Sequence, residues 1–176
     1  TGANNIGIGY RAGKAGQPGG TVTSHSNRVC LGDTAISEFN CQVSLSVASD
    51  ERDKTDFTAL DLGLDFVKAL KPYTYKWDKR SNYVDWDTNP DTDLLTITND
   101  GTHREEQLDI GFKAQEVEAL EIAAGYNKAN KTNLTLALSA DEKQYSMKYE
   151  KLVPVLVKAI QELSAKVQEL EEKLNG

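Results

Sequence analysis

Ser49 and Lys54 are the residues whose types and spacing best suit chemistry, since they lie five positions apart in one short polar stretch. A serine hydroxyl becomes a nucleophile when a base removes its proton, and lysine can act as that base without histidine. Both histidines, His25 and His103, lie far from this stretch in the sequence. By residue type alone, Ser49 followed by Asp50 also fits an ordinary turn or cap, because both side chains commonly bond local backbone.

An alternating apolar segment leads into this stretch. In residues 37–48 the apolar side chains occupy every second position, as Phe39, Cys41, Val43, Leu45 and Val47. This alternation is typical of a strand with one face on a core. The sequence therefore predicts a strand that ends at the candidate pair.

The segments after the pair predict a domain of mixed helices and strands. Thr55 or Asp56 can cap a short helix with apolar residues at helical spacing, which Pro72 ends. Tyr73, Tyr75 and Trp77 then alternate as a strand. The later predicted elements are an inserted polar loop or hairpin at 78–107 with a short strand at 94–97, a strand ending near 110–112, a helix over 114–120 and a strand pair around 134–145.

Residues 1–36 differ in composition from the rest, being rich in Gly. Residues 4–12 and 27–35 share one pattern: Asn, any residue, an aliphatic, any residue, an aliphatic, Gly, two free positions, Ala. Such strand-plus-turn units stack on neighbours or on identical chains. The pattern resembles the strand repeats of trimeric β-helical fibre stalks, and the alternative is an irregular Gly-rich region.

A heptad pattern runs through the C-terminal residues. The apolar positions are separated by alternating gaps of three and four, and they are Val153, Leu156, Ile160, Leu163, Val167, Leu170 and Leu174. A period of 3.5 residues favours a coiled coil, although a helix docked on its own domain is the alternative. β-branched residues at a with Leu at d favour dimers, so the heptad alone does not predict three chains.

Composition excludes several classes of function. The formal charge is −7 and the basic residues are scattered, which argues against nucleic acid as a partner. Cys30 and Cys41 lack metal-ligand spacing, so we expect two packing residues, no metal and no cofactor. No apolar run approaches the ~20 residues that span a bilayer, so we expect a soluble chain without membrane insertion.

Four sequence blocks occur here in the order of one known family. Residues 49–54 contain Ser49, Asp50, Arg52 and Lys54, residues 70–77 read Leu-Lys-Pro-Tyr-Thr-Tyr-Lys-Trp, and residues 111–118 read Gly-Phe-Lys-Ala-Gln-Glu-Val-Glu. The fourth block contains Tyr149, Leu152, Pro154, Leu156, Ala159 and Ile160. Together they resemble the chaperone-of-endosialidase domain, the peptidase S74 family found at the C-termini of phage tailspikes and tail fibres.

The resemblance implies an architecture and a location. It predicts an α+β chaperone domain over residues 49–176 with a coiled-coil helix at about 152–175, preceded by the end of a β-helical or β-stranded stalk over 1–48. The chain would form a homotrimer that folds the upstream fibre. It would be assembled in the host cytoplasm and belong to the virion tail, where the upstream fibre contacts any host-surface receptor.

The resemblance also assigns roles at the polar stretch. It implies autoproteolysis between Ala48 and Ser49, with Ser49 as nucleophile and Lys54 as general base, followed by release of the domain. Asp50 and Arg52 would form a structural ion pair that fixes the turn.

The base must be neutral, so a lysine pKa of ~10.4 must fall toward ~7–8, most simply by desolvation. We therefore expect Lys54 to become buried only in the folded trimer. Asp53 stands where the family usually has an apolar residue, and a carboxylate there would oppose the shift.

Two other functions stay open at this point. The first is a structural trimerisation tip whose dyad is inactive, which Asp53 favours. The second is receptor binding by the tip, with Trp86, Tyr83 and their polar neighbours in the 78–107 insertion as the contact surface.

Overall fold

The computed structural model of the chain describes residues 2–23, 25–134, 136–138 and 143–176. These residues form an α+β arrangement, in line with the predicted fold class. The strands are β1 (Ile6–Ile8), β2 (Val29–Leu31), β3 (Tyr73–Lys76), β4 (Leu108–Gly111), β5 (Leu136–Leu138) and β6 (Tyr145–Met147), and the α-helices are α1 (Leu64–Ala69), α2 (Ala114–Ala123) and α3 (Leu152–Asn175). Consecutive strands pair two by two, β1 with β2 in parallel and the others antiparallel.

Each copy of the N-terminal sequence pattern forms one strand of the β1–β2 pair. Ile6 lies opposite Val29, its equivalent in the other copy. The side-chain amide of Asn4 donates to the Oδ1 of Asn27 over 2.8 Å, and both residues have a positive φ, of 56° and 62°. Asn tolerates this left-handed conformation better than most residues. The two copies thus form neighbouring parallel strands, and each begins with an asparagine in the same backbone conformation.

The apolar core of the C-terminal part lies between α1 and α3. Leu62 and Phe66 pack with Leu152 and Val155, and all four side chains are buried. Ala159, one turn further along α3, is also buried. Full burial of a side chain of this size stabilises a fold by about 1.5–3 kcal/mol. This contact therefore fixes the start of α3 against the domain.

The β3–β4 hairpin and the helix after it confirm the prediction for this region. Tyr75 lies opposite Asp109 in the antiparallel register, and α2 follows β4 after two residues. β5 and β6 match the predicted strand pair, and residues 139–142 between them lie outside the described residues.

The strand predicted over residues 37–48 is absent. These residues have no regular secondary structure, and their apolar side chains are exposed, Leu45 by 84 %. A strand is stable only when its backbone groups pair with a neighbour. The alternating pattern is present, but one chain offers no edge that pairs with it in the described structure.

Two smaller predictions are also wrong. α1 begins at Leu64 rather than after Thr55 or Asp56, and Asp56 has a φ of 57°, outside the helical region. The predicted short strand at 94–97 is a 3-10 turn, Leu94–Thr96, because the Asp93 carboxylate accepts the Leu95 N–H and caps it.

The two large aromatic side chains of the insertion, residues 78–107, make contacts within the chain. Trp86 is 8 % exposed. The Tyr83 hydroxyl donates to Asp78 over 2.8 Å and accepts the backbone N–H of Gly101 over 3.0 Å. Burial removes Trp86 from the predicted receptor-contact surface. Tyr83 is half-buried, and receptor binding by the insertion stays a prediction.

Helix α3 matches the predicted range, and it has two distinct faces. The heptad positions form a seam along one face, and every one of the seven residues is at least 44 % exposed. The residues buried against the domain are Leu152, Val155 and Ala159, none of which belongs to the seam. Docking on the domain thus leaves the seam uncovered. None of the described helices is long and apolar enough to cross a membrane.

The two cysteines have different environments. Cys30 is buried in β2, as expected for a packing residue. Cys41 is exposed in the unpaired segment, so the packing prediction is wrong for it. Burial of Cys41 would require the partner that this segment lacks in one chain.

Candidate active site

A tight turn after the unpaired segment brings Ser49 and Lys54 together. Residues Glu51–Asp53 form a single 3-10 turn, and the Asp50 carboxylate caps it by accepting the Arg52 N–H over 2.9 Å. The Lys54 N–H then donates to the carbonyl of Glu51 over 3.1 Å. A turn of this kind reverses the chain direction, so the side chains before and after it lie on one side.

The two candidate side chains are in direct contact. Lys54 Nζ donates to Ser49 Oγ over 2.6 Å and to the Ser49 carbonyl oxygen over 3.1 Å. The distance of 2.6 Å between Nζ and Oγ lies within the range of about 2.6–3.2 Å that a nucleophile and its base require. In this state the lysine is the donor. To act as base it must lose a proton and accept from the hydroxyl.

Asp50 and Arg52 form the predicted ion pair within the turn. Arg52 Nε lies 3.0 Å from Oδ1 of Asp50, and Nη2 lies 2.6 Å from Oδ2. The Arg52 guanidinium lowers the pKa of the Asp50 carboxyl, and the carboxylate in turn raises the pKa of the guanidinium. Two parallel hydrogen bonds fix the guanidinium and carboxylate planes relative to each other, so the pair stabilises the turn. Ser49 Oγ contacts Lys54 instead of this pair.

The surroundings of the pair are open in the single chain. Ser49, Asp53 and Lys54 are all exposed. In the part of the chain that the structure describes, Asp53 makes no ion pair with Lys54. The arrangement therefore has the geometry of a nucleophile and its base. Among the described residues of one chain, nothing buries Lys54, and burial is what would favour a neutral amine.

A polar cluster on the β3–β4 hairpin was missed by the sequence reasoning. The Asp109 carboxylate accepts from the Tyr75 hydroxyl over 3.2 Å and from the indole N–H of Trp77 over 3.0 Å. Burial, together with the nearby carboxylate, raises the pKa of Tyr75 to about 12. The alternating Tyr75 and Trp77 predicted the strand, but only the cross-strand register reveals Asp109 as their partner.

The cap of α1 was also missed. Glu162, on α3, accepts the N–H of Leu64 over 2.7 Å. Gly63 precedes the helix without a side chain of its own, and a Cβ there would overlap the Glu162 carboxylate. The glycine at the N-cap position, where a capping side chain is usual, was the sequence signal that the cap comes from elsewhere in the chain. The hydrogen bond lowers the pKa of Glu162 below its ordinary value.

No metal site accompanies these groups in the described ranges, since no cluster of three or more His, Cys, Asp or Glu side chains is placed to hold an ion. The described contacts around Ser49 come from its own turn.

A protein-family model described as chaperone of endosialidase, Peptidase_S74, matches residues 49–126. This match supports a chaperone-of-endosialidase domain over residues 49–126. The match begins at Ser49 and contains the first three of the four sequence blocks, while the block around Tyr149 lies beyond it. This family suggests a chaperone role in the folding of tail proteins, and it implies a peptidase-like domain that cleaves itself. Searches of the curated proteins and of the solved structures gave no match.

Proposed function

We propose that this chain is the C-terminal intramolecular chaperone of a phage tail fibre or tailspike, which trimerises and then cuts itself between Ala48 and Ser49. The contact of 2.6 Å between Lys54 Nζ and Ser49 Oγ carries the proposal. The chaperone-of-endosialidase domain begins at this same serine, which supports a boundary between stalk and chaperone at this position.

The cut uses the hydroxyl of Ser49 on the carbonyl before it. Neutral Lys54 removes the Oγ proton, and Oγ attacks the carbonyl carbon of Ala48. The bond from that carbon to the Ser49 nitrogen breaks, and the nitrogen takes a proton to become a free amine. The resulting ester is then hydrolysed by water. The products are a carboxylate at Ala48 and a new N-terminus at Ser49, and Lys54 ends the cycle unchanged.

Assembly supplies the dehydration that the step requires. An exposed lysine is protonated at neutral pH and cannot accept a proton. Covering Lys54 with a second and third chain would disfavour its charged form, since burial penalises charge. The turn in a single chain therefore has the required contact without the burial that the step requires. Cleavage would follow correct assembly because assembly supplies that burial.

Two exposed apolar surfaces support the trimer. One is the α3 seam, whose residues lie at heptad spacing on the face turned away from the domain. The other is the unpaired segment, residues 37–48, which leads directly to the scissile bond. Solvent-exposed apolar surface of this extent marks a protein interface. A trimer covers both surfaces, and it brings three copies of the scissile bond into one assembly.

The order of events has a physical reason. Stalks built from stacked strands between chains need non-local pairing, which folds slowly. A C-terminal trimer holds three chain ends together and raises the effective concentration of the strands. Removing the covalent link afterwards leaves the stalk kinetically trapped, because refolding would need the chaperone again.

The experiment is intact-mass spectrometry of the purified chain beside Ser49→Ala and Lys54→Ala. We expect two fragments from the parent, with a new N-terminus at Ser49, and a single full-length mass from each variant. Ser46→Ala and Lys68→Ala are matched controls, because each removes the same group from an exposed position outside the turn. A single uncut mass from the trimeric parent would contradict the proposal and favour the trimerisation tip.

A further inference from the structure

The insertion packs directly on the stalk end, here residues 10–34. Trp86 is buried to 8 % exposure, although it lies in a polar surface segment. Its ring covers Gly16, where a Cβ would overlap the indole, and Gly16 has a φ of 70°. Only glycine combines this backbone conformation with so close an approach. The indole thus fits a site on the stalk end that no other residue type would leave open.

Polar contacts surround this apolar contact. Arg11 Nη1 lies 2.9 Å from Oδ1 of Asp87, and the guanidinium carbon lies 5.8 Å from the centre of the Trp86 ring. The Arg11 side chain is only 16 % exposed. At the other end of the contact, Lys79 Nζ donates to the Thr34 carbonyl over 3.0 Å. A central aromatic group with charged pairs at its rim is the usual anatomy of an interface.

Both sides of the contact are internally fixed. On the insertion, the Trp86 indole N–H donates to the Ser81 carbonyl over 2.9 Å, which sets the ring orientation. On the stalk end, Gln17 is 2 % exposed and its carbonyl oxygen accepts the Thr34 N–H over 3.0 Å. Pre-formed surfaces lose less conformational entropy on association, so they bind more tightly for the same area.

The scissile bond lies in a loop whose two ends are held by the same domain. Thr34 is held by Lys79 on the N-terminal side, and Leu62 is buried in the α1–α3 core on the other. Residues 37–59 between these anchors are exposed and irregular apart from the turn at the candidate site. Cutting between Ala48 and Ser49 breaks only this exposed connection, and the contacts of Trp86, Arg11 and Lys79 are untouched by it.

We propose that the insertion is a docking site for residues 10–34 and keeps the stalk end bound to the chaperone domain after cleavage. The cut itself is taken from the proposed function above. The product is then a nicked complex rather than two separate fragments, which differs from the release that the family resemblance implies. The occupant of this surface is the chain's own stalk end, in the same subunit or exchanged between subunits of a trimer.

The test makes the cut independently of Ser49. In a Ser49→Ala background, the exposed residues 54–59 are replaced by the recognition sequence of a site-specific protease, which leaves residues 37–48 unchanged, and the purified chain is cut with that protease. We expect both fragments to co-elute in size-exclusion chromatography and to appear as one species in native mass spectrometry. Elution of the N-terminal fragment apart from the rest overturns the proposal. An inactive dyad does not affect this result, so failure of self-cleavage is distinguished from failure of docking.

Charge reversal identifies the contact that holds the fragments. Asp87→Arg places two cations together and should weaken fragment association at least roughly tenfold on dilution. Arg11→Asp should do the same, and the double variant Arg11→Asp/Asp87→Arg should recover most of the association, which a misfolded chain would not do. Asp91→Arg, an exposed change elsewhere on the insertion, is the matched control. Equal association in the parent and both single variants would overturn the proposal.

Discussion

The two faces of α3 carry the same kind of residue but have opposite environments. Leu152 and Val155 are buried against Leu62 and Phe66, whereas Ile160 on the seam is 66 % exposed. Both faces are apolar, yet among the described residues only the docked face packs on the rest of the chain. The difference separates the apolar surface that one chain buries alone from the surface that further chains would cover in the proposed trimer.

The seam should respond most strongly to a charge. Ile160→Asp would place a carboxylate in each chain at one level of a coiled coil, and an unpaired buried charge costs several kcal/mol. We expect complete loss of the trimer, and with it loss of self-cleavage, measured by light scattering and intact mass. Gln161→Asp adds the same charge beside the seam and should leave both intact. A trimer formed by Ile160→Asp would contradict the role of the seam.

Substitutions on the docked face should lower the stability of the single chain rather than its assembly. Leu152→Ala removes buried side-chain volume from the α1–α3 core, and such changes cost about 2–5 kcal/mol. We expect this loss in chemical denaturation of the single chain, independent of protein concentration. Val153→Ala, at the neighbouring exposed seam position, is the control, and its effect should depend on concentration. Equal losses of unfolding free energy in Leu152→Ala and Val153→Ala, both independent of protein concentration, would contradict the distinction between the two faces.

The Glu162 cap makes the stability of the contact between α1 and α3 depend on pH. The pKa of Glu162 is lowered in the folded chain because its carboxylate accepts the Leu64 N–H and lies near Lys158. Its contribution to stability is therefore present above the ordinary glutamate value and is lost as the pH falls through the lowered one. Glu162→Gln should flatten the stability profile in this acidic window. Glu172→Gln, near the free end of α3, should retain the parent profile.

The unpaired segment should give the smallest effect in a single chain. Val43→Ser removes an apolar side chain that is 71 % exposed, and such surface changes stay within about 0.5 kcal/mol. In the trimer, where this segment is proposed to be covered, the same change should reduce assembly. Comparing denaturation of the monomer with the yield of trimer separates the two cases. A large loss in the monomer would mean that the segment already has a partner.

Sequence reasoning succeeded where one short stretch contains the whole signal. The heptad predicted α3 almost to the residue, and the alternation of Tyr73 and Tyr75 predicted β3. The contact of Lys54 with Ser49 needed only a turn of three residues between them. In each case the interaction is local, so spacing along the chain is close to spacing in the fold.

Prediction from the sequence failed where the interacting residue lies far away along the chain. Glu162 caps a helix that begins 98 residues earlier, and no pattern near Leu64 names it. Trp86 was assigned to a receptor surface because the residues around it are polar, and its actual neighbour, Gly16, lies in another part of the chain. The segment at 37–48 has the right alternation for a strand, but alternation does not supply the edge it must pair with.

The unpaired segment before the proposed cleavage site also makes a single chain prone to aggregation. From residue 36 to 48 it carries one acidic residue, no basic residue and no proline, so it lacks the features that discourage edge-to-edge aggregation. If the trimer of the proposed function forms, this segment is open to proteolysis and to pairing with stray copies until assembly covers it. The yield of trimer would then depend on how fast subunits associate relative to how fast they are degraded or mispaired, and conditions that slow this loss more than they slow association should raise it.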